Sequence, residues 1–296
     1  MTSPRVSVLM TIYNAAPFLR QSIDSLIAQT FTDWELIVVE NGSTDGSSAV
    51  LSKYTDPRIR NFFLPSNIGR TPALRYAFER VRGEYIAVLD ADDLAMPGRF
   101  MRQVDFLDHN KDVVLVGTWA EQIDPAGRVF DVWQPPVDPV LLHDSLGWLD
   151  PIVHSSVMFR RQEAISVGGY PEEYVFSQDF ALILKLVERG KLAIIDEFLC
   201  KLRISSGRMS SSPEYQMAVA QEGLLLLKYA FEKLPLSDKA RRMNRCAVSK
   251  YEIRCGVALI RRGQFVSGII KIIRAFIKEP RILWINNLFR SRFYAA

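Results

Sequence analysis

Four times within about 90 residues, this chain passes from a short apolar run into an amphipathic stretch of helical spacing. The runs are residues 5–13 (RVSVLMTIY), 34–40 (WELIVVE), 59–64 (IRNFFL) and 85–89 (YIAVL). Unbroken rather than alternating apolar content marks strands covered on both faces. Between the runs, Asn14 and Pro17 open a helix to residue 29 that lines up Phe18, Ile23, Leu26 and Ile27. Asp45 can cap a helix to residue 54, and Asn67-Ile68-Gly69 starts another to residue 77. Regular alternation of this kind predicts an α/β fold, a doubly wound and mainly parallel sheet with right-handed crossovers. No G-x-G-x-x-G follows the first strand and no G-x-x-x-x-G-K-[ST] occurs, so dinucleotide and P-loop readings are weak.

The fourth run ends in Asp90-Ala91-Asp92-Asp93, three carboxylates within four residues. Like charges so close raise one another's pKa unless a cation compensates, and a hard divalent ion is the natural compensator. Open α/β sheets bind ligands at the carboxyl ends of their strands, where these acids fall. The plainer alternative is a solvated turn with Asp93 capping the helix near Pro97.

Further along, residues 97–109 read as a helix, 113–123 as a strand, 129–139 as an extended proline-rich connection and 141–149 as a short helix. Residues 152–159 read as a strand carrying His154, followed by a Gly168-Gly169-Tyr170-Pro171 turn. Gln178-Asp179 opens a helix to residue 189, and 192–195 and 198–204 are short strands. From Pro213 the pattern is helical, with breaks near Pro235, Gly263 and Pro280. Charge changes at the same boundary: 16 Lys/Arg stand against 6 Asp/Glu from Glu214 onward, and 21 against 27 before it. The expected division is therefore residues 1–212 and a basic helical extension, 213–296. Three scattered cysteines (Cys200, Cys246, Cys255) predict a reducing compartment and no disulfide framework. The N-terminus lacks a signal-peptide pattern, and no run of about 18 apolar residues predicts a spanning helix.

The segments VSVLMTIYN, ELIVVENGSTDGS, DPRI, NIGRTPAL, GEYIAVLDADD, HSSVMFRR, GGY and SQDF, in that order, resemble a family 2 glycosyltransferase of the GT-A fold. The resemblance covers about residues 4–210. It implies a Rossmann-like sheet flanked by helices, with a nucleotide-sugar half at about 1–95 and an acceptor half at about 96–212. It implies a nucleotide-diphosphate sugar as donor, UDP first with dTDP or GDP as alternatives, and a divalent cation, Mn2+ or Mg2+. On that resemblance Asp92 ligates the metal and Asp90 lies against ribose or a metal-bound water, with Ala91 between them. Thr11, Tyr13, Glu40 and Asn41 line the base pocket, and Asn67 and Arg70 lie over base and phosphates. The family's usual Asp-Asp is Glu40-Asn41 here, and its Glu-Asp is Gln178-Asp179.

Asp179 is the base implied for an inverting transfer, receiving the proton of the acceptor hydroxyl as it attacks C1; its alternative role is helix capping. His154, Gln178 and Arg203 fall on the acceptor or diphosphate side, with a buried structural histidine as the alternative for His154. Many relatives carry Arg-x-His where this chain has Arg203-Ile204-Ser205. The implied acceptor is a glycan or lipid-linked hydroxyl in cell-surface polysaccharide synthesis, in the cytoplasm or on the inner face of the membrane. Residues 265–276 and 283–294 mix Trp, Phe and aliphatic residues with Lys and Arg, as interfacial helices do. Packing on the domain or in a homodimer is the alternative for this tail, and nucleic acid is not expected. Two rival readings stand beside the transferase: a nucleotide-sugar-binding protein without turnover, which Gln178 would suit, and an aspartate-rich receiver domain, for which the chain is too long.

Overall fold

The computed structural model describes residues 3–205 and 214–280. The chain forms two compact units, Met1–Val137 with Ile152–Ile204, and Asp138–Pro151 with Ser205–Ala296.

In the first unit β1 (Val6–Ile12), β2 (Trp34–Asn41), β3 (Ile59–Leu64) and β4 (Tyr85–Val88) run parallel in the order β3-β2-β1-β4. Val8 of β1 lies between Leu36 and Ala87. Every residue of β2 is buried, and every residue of β1 but Thr11, which is why both read as unbroken apolar runs. They are linked by α1 (Ala16–Ile27), α2 (Ser47–Leu51) and α3 (Arg70–Phe78). Leu19, Ile23 and Leu26 of α1 share one helical face and pack with Val8, Met10 and Leu36 in the core. Truncating one of them, as in Ile23→Ala, would cost about 2–5 kcal/mol.

Past β4 the sheet becomes mixed. β8 (Met158–Arg160) pairs antiparallel with β4 and with β6 (Val113–Ile123). β9 (Lys191–Arg203) runs parallel to β6, β5 (Leu94–Ala95) closes the order antiparallel to β9, and β7 (Val129–Trp133) pairs with β6. The expectation of a mainly parallel sheet thus describes the first four strands. The helices here are α4 (Arg99–His109), α6 (Arg161–Ser166) and α7 (Gln178–Leu186).

Local expectations change in four places. The strand expected over 152–159 is a 3-10 turn, His154–Ser156, before the short β8. There Ser156 Oγ donates to Val153 O and Ser155 Oγ accepts from Asp90 N, side-chain bonds that compete with a strand ladder. The two strands expected over 192–204 are one, β9. Its register slips where Ile195 faces Thr118 and Phe198 faces Trp119, so that Asp196 and Glu197 form a bulge. Part of the extended connection at 129–139 is β7. Asp93 does not cap α4, whose N-cap is Gly98.

The second unit contains α5 (Pro139–Ser145), α8 (Gln216–Lys233), α9 (Asp238–Arg261) and α10 (Phe265–Lys278). α8 stops before Leu234-Pro235, as the residue preceding a proline disfavours helix, and α9 ends at Gly263, whose φ is +80°. Ser237 caps α9 by accepting from Ala240 N and donates to Asp144 of α5. Asn244 donates to the carbonyls of Gly147 and Leu227. α9 and α10 meet backbone to backbone: a Cβ at Gly268 would stand 2.6 Å from the Gly256 carbonyl oxygen. All three cysteines are buried, and none forms a disulfide. Among the described residues no helix is long and apolar enough to cross a membrane.

Candidate active site

Parallel strands bring β1, β2 and β4 to a common carboxyl edge, so the turns after Ile12, Asn41 and Val88 share one rim. At the end of β2 the buried Glu40 accepts from Ser43 N at 2.7 Å and closes its own turn. Asn41 fastens the loop before α3. Its Nδ2 donates to Asn67 Oδ1 (3.0 Å) and Gly69 O (3.2 Å), and its Oδ1 accepts from Ile68 N (3.0 Å). Gly42, at φ +70°, is required here: a Cβ would stand 2.4 Å from the Ser66 carbonyl carbon. Asp45 receives Ser47 N at one oxygen and Ala16 N at the other, lashing together the starts of α2 and α1. At the end of β1, Thr11 is half-buried and Tyr13 exposed. Asn14 follows in the left-handed region (φ 53°) and accepts from Thr44 N.

The fastened loop delivers Arg70, the first residue of α3. Arg70 Nη2 donates to both oxygens of Asp90, at 2.8 Å each. With the Gln178 amide nitrogen donating to Val175 O, the Gln178 oxygen accepts from Arg70 Nε at 3.1 Å. Arg70 is pushed above its ordinary pKa chiefly by Asp90, against the effect of burial, with Asp179 and Asp92 adding to the push. Burial would raise the Asp90 carboxyl, but the Arg70 charge and then His154 hold it well below the usual range.

A second line of contacts reaches Asp90 from the other side. His154 Nε2 lies 3.0 Å from Tyr170 Oη, and Nδ1 lies 3.9 Å from Asp90 Oδ1. That nitrogen is buried with no hydrogen-bond partner. Tyr170 is pushed up, by burial first and then by Asp179 and Asp90, so it keeps its proton. When it donates to Nε2, the imidazole carries its own proton on Nδ1, facing Asp90. Gly168 and Gly169, at φ +85° and +68°, make the turn that brings Tyr170 in.

The acid loop is held by its backbone. Asp90 N donates to Ser155 Oγ, Ser22 Oγ donates to the carbonyl of buried Ala91, and Arg203 Nε donates to the Asp92 carbonyl at 2.8 Å. Arg203, expected on the acceptor or diphosphate side, lies buried behind the loop. Its Nη1 reaches the carbonyls of Asp124 and Pro125, its Nη2 reaches Gln21 Oε1, and its guanidinium sits over the Phe18 ring. Asp93, expected to cap a helix, is buried too. Its Oδ1 accepts from Arg203 N at 2.7 Å and its Oδ2 meets no partner. Burial, then Asp92 and Asp90, push the Asp93 carboxyl well up toward its neutral form. Asp90 and Asp92 are half-buried, and Asp93 is the buried carboxylate of the three. Asp179 lies in the first turn of α7, where the helix end favours negative charge.

Asp90, Asp92, Asp179, Arg70, Gln178 and His154 therefore gather at one rim, while Asn41 and Asn67 bond each other within it. Sequence reasoning did not single out Tyr170, Ser155 or Ser22. The pair of glycines before Tyr170 was the one available signal.

The sequence model described as Glycosyl transferase family 2 matches residues 7–168. An uncharacterized glycosyltransferase of Methanocaldococcus jannaschii is 31% identical over 215 residues, 69% of this chain and 72% of that one. Another from Haemophilus influenzae is 28% identical over 220 residues, 70% of this chain and 68% of its own. Among solved structures, S. aureus TarS 1-349 in complex with UDP-GlcNAc superimposes with TM-score 0.68 at 18% identity, covering 92% of this chain and 81% of that one. The mannosyltransferase PcManGT of Pyrobaculum calidifontis, in complex with GDP-Man and Mn2+, gives 0.60 at 19% identity, covering 96% and 84%. These likenesses fix the fold as GT-A, and the family match covers every strand but β9, with the acid loop and His154. The chain belongs to glycosyl transferase family 2.

Proposed function

We propose that this glycosyltransferase moves a hexose, with inversion, from a nucleotide-diphosphate donor to a hydroxyl of a glycan or lipid-linked acceptor in cell-surface polysaccharide synthesis. The observation that carries the reading is the meeting of Asp90, Arg70, Gln178 and Asp179 at the carboxyl ends of β1, β2 and β4.

The donor set suits a divalent ion that arrives with its nucleotide. Both Asp90 oxygens face Arg70, and the Asp93 carboxyl is pushed toward neutrality. Among the described residues no group of three or more His, Cys, Asp or Glu side chains stands ready to hold an ion. Mg2+ and Mn2+ are well served by one or two carboxylates with phosphate oxygens and water. Asp92 is the proposed protein ligand, with Asp90 beside it. When bound, such an ion would neutralise charge on the departing diphosphate.

The chain's own groups do the rest. Arg70, gripped by Asp90 and Gln178, presents a fixed cation to the phosphates. Thr11, Tyr13 and the loop fastened by Asn41 and Asn67 bound the base, and Glu40 keeps their turn closed. Arg203 positions the acid loop from behind. Asp179 accepts the acceptor's proton as the new bond forms, since a carboxylate is too weak a base to remove it beforehand. Donor binding without turnover is the reading that Gln178 favours, because an amide replaces the family's usual carboxylate beside Asp179.

Calorimetric titration with UDP-, dTDP- and GDP-sugars, with and without manganese, tests the donor reading. We expect manganese-dependent binding of at least one donor and a loss of about tenfold or more in Asp92→Asn. Unchanged heat in that variant removes Asp92 as the ligand, and silence from every donor removes the reading. Release of free sugar from a bound donor separates turnover from mere binding.

A further inference from the structure

α10 uses only part of its apolar surface within its own unit. Gly268 and Ala275 are buried and Ile272 partly so, and Ile272 lies against Gly256 of α9. At about 100° per residue, Phe265, Val266, Ile269, Ile270, Ile273 and Ile277 fall on an adjoining arc. All six are exposed, Val266 by 73% and Ile277 by 72%. The remaining arc carries Lys271, Arg274 and Lys278 with Ser267, and the helix has no acidic residue. Glu252 of α9 pairs with Lys278 at 2.9 Å, and Glu279 follows the helix.

We propose that this arc of α10 lies in the surface of an anionic lipid bilayer. A broad apolar face bordered by Lys and Arg is the composition of a helix that rests in the headgroup layer. Fourteen residues span about 21 Å, short of a hydrocarbon core of about 30 Å, so the helix lies along the bilayer. Charge selects lipid over the other occupants. A second copy docked through the same face would cover the apolar arc but leave Lys271 and Arg274 on the remaining arc, with no acid on the helix to meet them. Residues 281–296 add Arg281, Arg290 and Arg292 and no Asp or Glu, so as a cover they would pile cation on cation. Anionic headgroups complement both. The inference stands apart from the donor reading, because it uses neither Asp90 nor Asp179.

Flotation of the full 296-residue protein with vesicles tests it. The protein should float with equimolar phosphatidylcholine and phosphatidylglycerol and stay down with phosphatidylcholine alone. Ile273→Asp/Ile277→Asp should abolish flotation with helical circular dichroism retained, since both positions are exposed. Lys271→Gln/Arg274→Gln should weaken binding by about thirtyfold while leaving the apolar arc intact. No flotation of the wild type overturns the proposal. So does full binding by Ile273→Asp/Ile277→Asp, which would assign the contact to residues 281–296. A dimer in sedimentation that the same variant dissolves would put a second copy on the face instead.

Discussion

Two carboxylates, the buried Glu35 and the half-buried Asp90, lie toward opposite edges of the same sheet, and each is gripped by arginine. Glu35, near the start of β2, receives Ser7 Oγ at 2.7 Å, Arg60 Nη1 at 2.8 Å and Arg82 Nη2 at 2.6 Å. Ser7 Oγ in turn accepts from the backbone of Arg82 and Gly83. No atom of that cluster is buried without a partner. At the carboxyl edge Asp90 is gripped by Arg70, yet His154 Nδ1 and Asp93 Oδ2 beside it remain unpaired. Unpaired buried polar groups are costly, typically about 1–3 kcal/mol each. The contrast teaches that the Glu35 cluster is finished by the protein itself, whereas the groups around Asp90 are left incomplete, as a site that waits for polar groups from a ligand would be.

The sharpest test of the contrast is Asp179→Asn. It should lower the rate of transfer about a thousandfold with donor affinity intact, whereas Glu35→Gln should leave the rate of the folded enzyme alone. A variant at 179 that turns over normally would break the functional half of the comparison. Next, Glu35→Gln should cost about 3 kcal/mol of stability near neutral pH, as expected for opening a buried, hydrogen-bonded ion pair. Burial alone would raise the Glu35 carboxyl, but hydrogen bonds from Arg82, Ser7 and Arg60 hold it below its ordinary value. Its contribution is therefore complete above the unfolded pKa of about 4.3 and fades as pH falls through the lowered native value. Urea unfolding across that range should show the gap between wild type and variant closing in acid; a constant gap would deny Glu35 its charge. The smallest effect belongs to Tyr170→Phe, about 1 kcal/mol of stability from the lost bond to His154. That change should also lower the rate of transfer, because the ring would be free to change tautomer. An unmoved rate would make Tyr170 a packing residue.

β1, β2 and β4 were legible because a strand covered on both faces writes itself as an apolar run. The breaks at Pro235, Gly263 and Pro280 were legible because proline and glycine act locally. Partners were not. Asn41 and Asn67 are residue types that could bind a base, and nothing along the chain shows that each is the other's partner. Asp93 stands in a cap-like context, yet β5 separates it from the helix that starts at Arg99, and the return of β9 beside it leaves it buried. Arg203 follows a similar logic: the bulge at Asp196-Glu197 lets β9 run on as one strand, and that carries Arg203 behind the acids. Tyr170 needed the fold, since only three-dimensional closure brings it to His154.

The second unit is assembled from two stretches of chain, with Asp138–Pro151 threaded out of the middle of the first. Its aspartate at 144 is held by Ser237, the carbonyl of Gly147 by Asn244, and the methyls of Leu236 would collide with any side chain at 147. Trimming the protein at residue 205 would therefore not yield a clean catalytic half. It would leave a stranded helix, with Asp144 parted from Ser237 and the Gly147 carbonyl from Asn244. Exchanging this unit with that of a relative would likewise require moving both pieces at once.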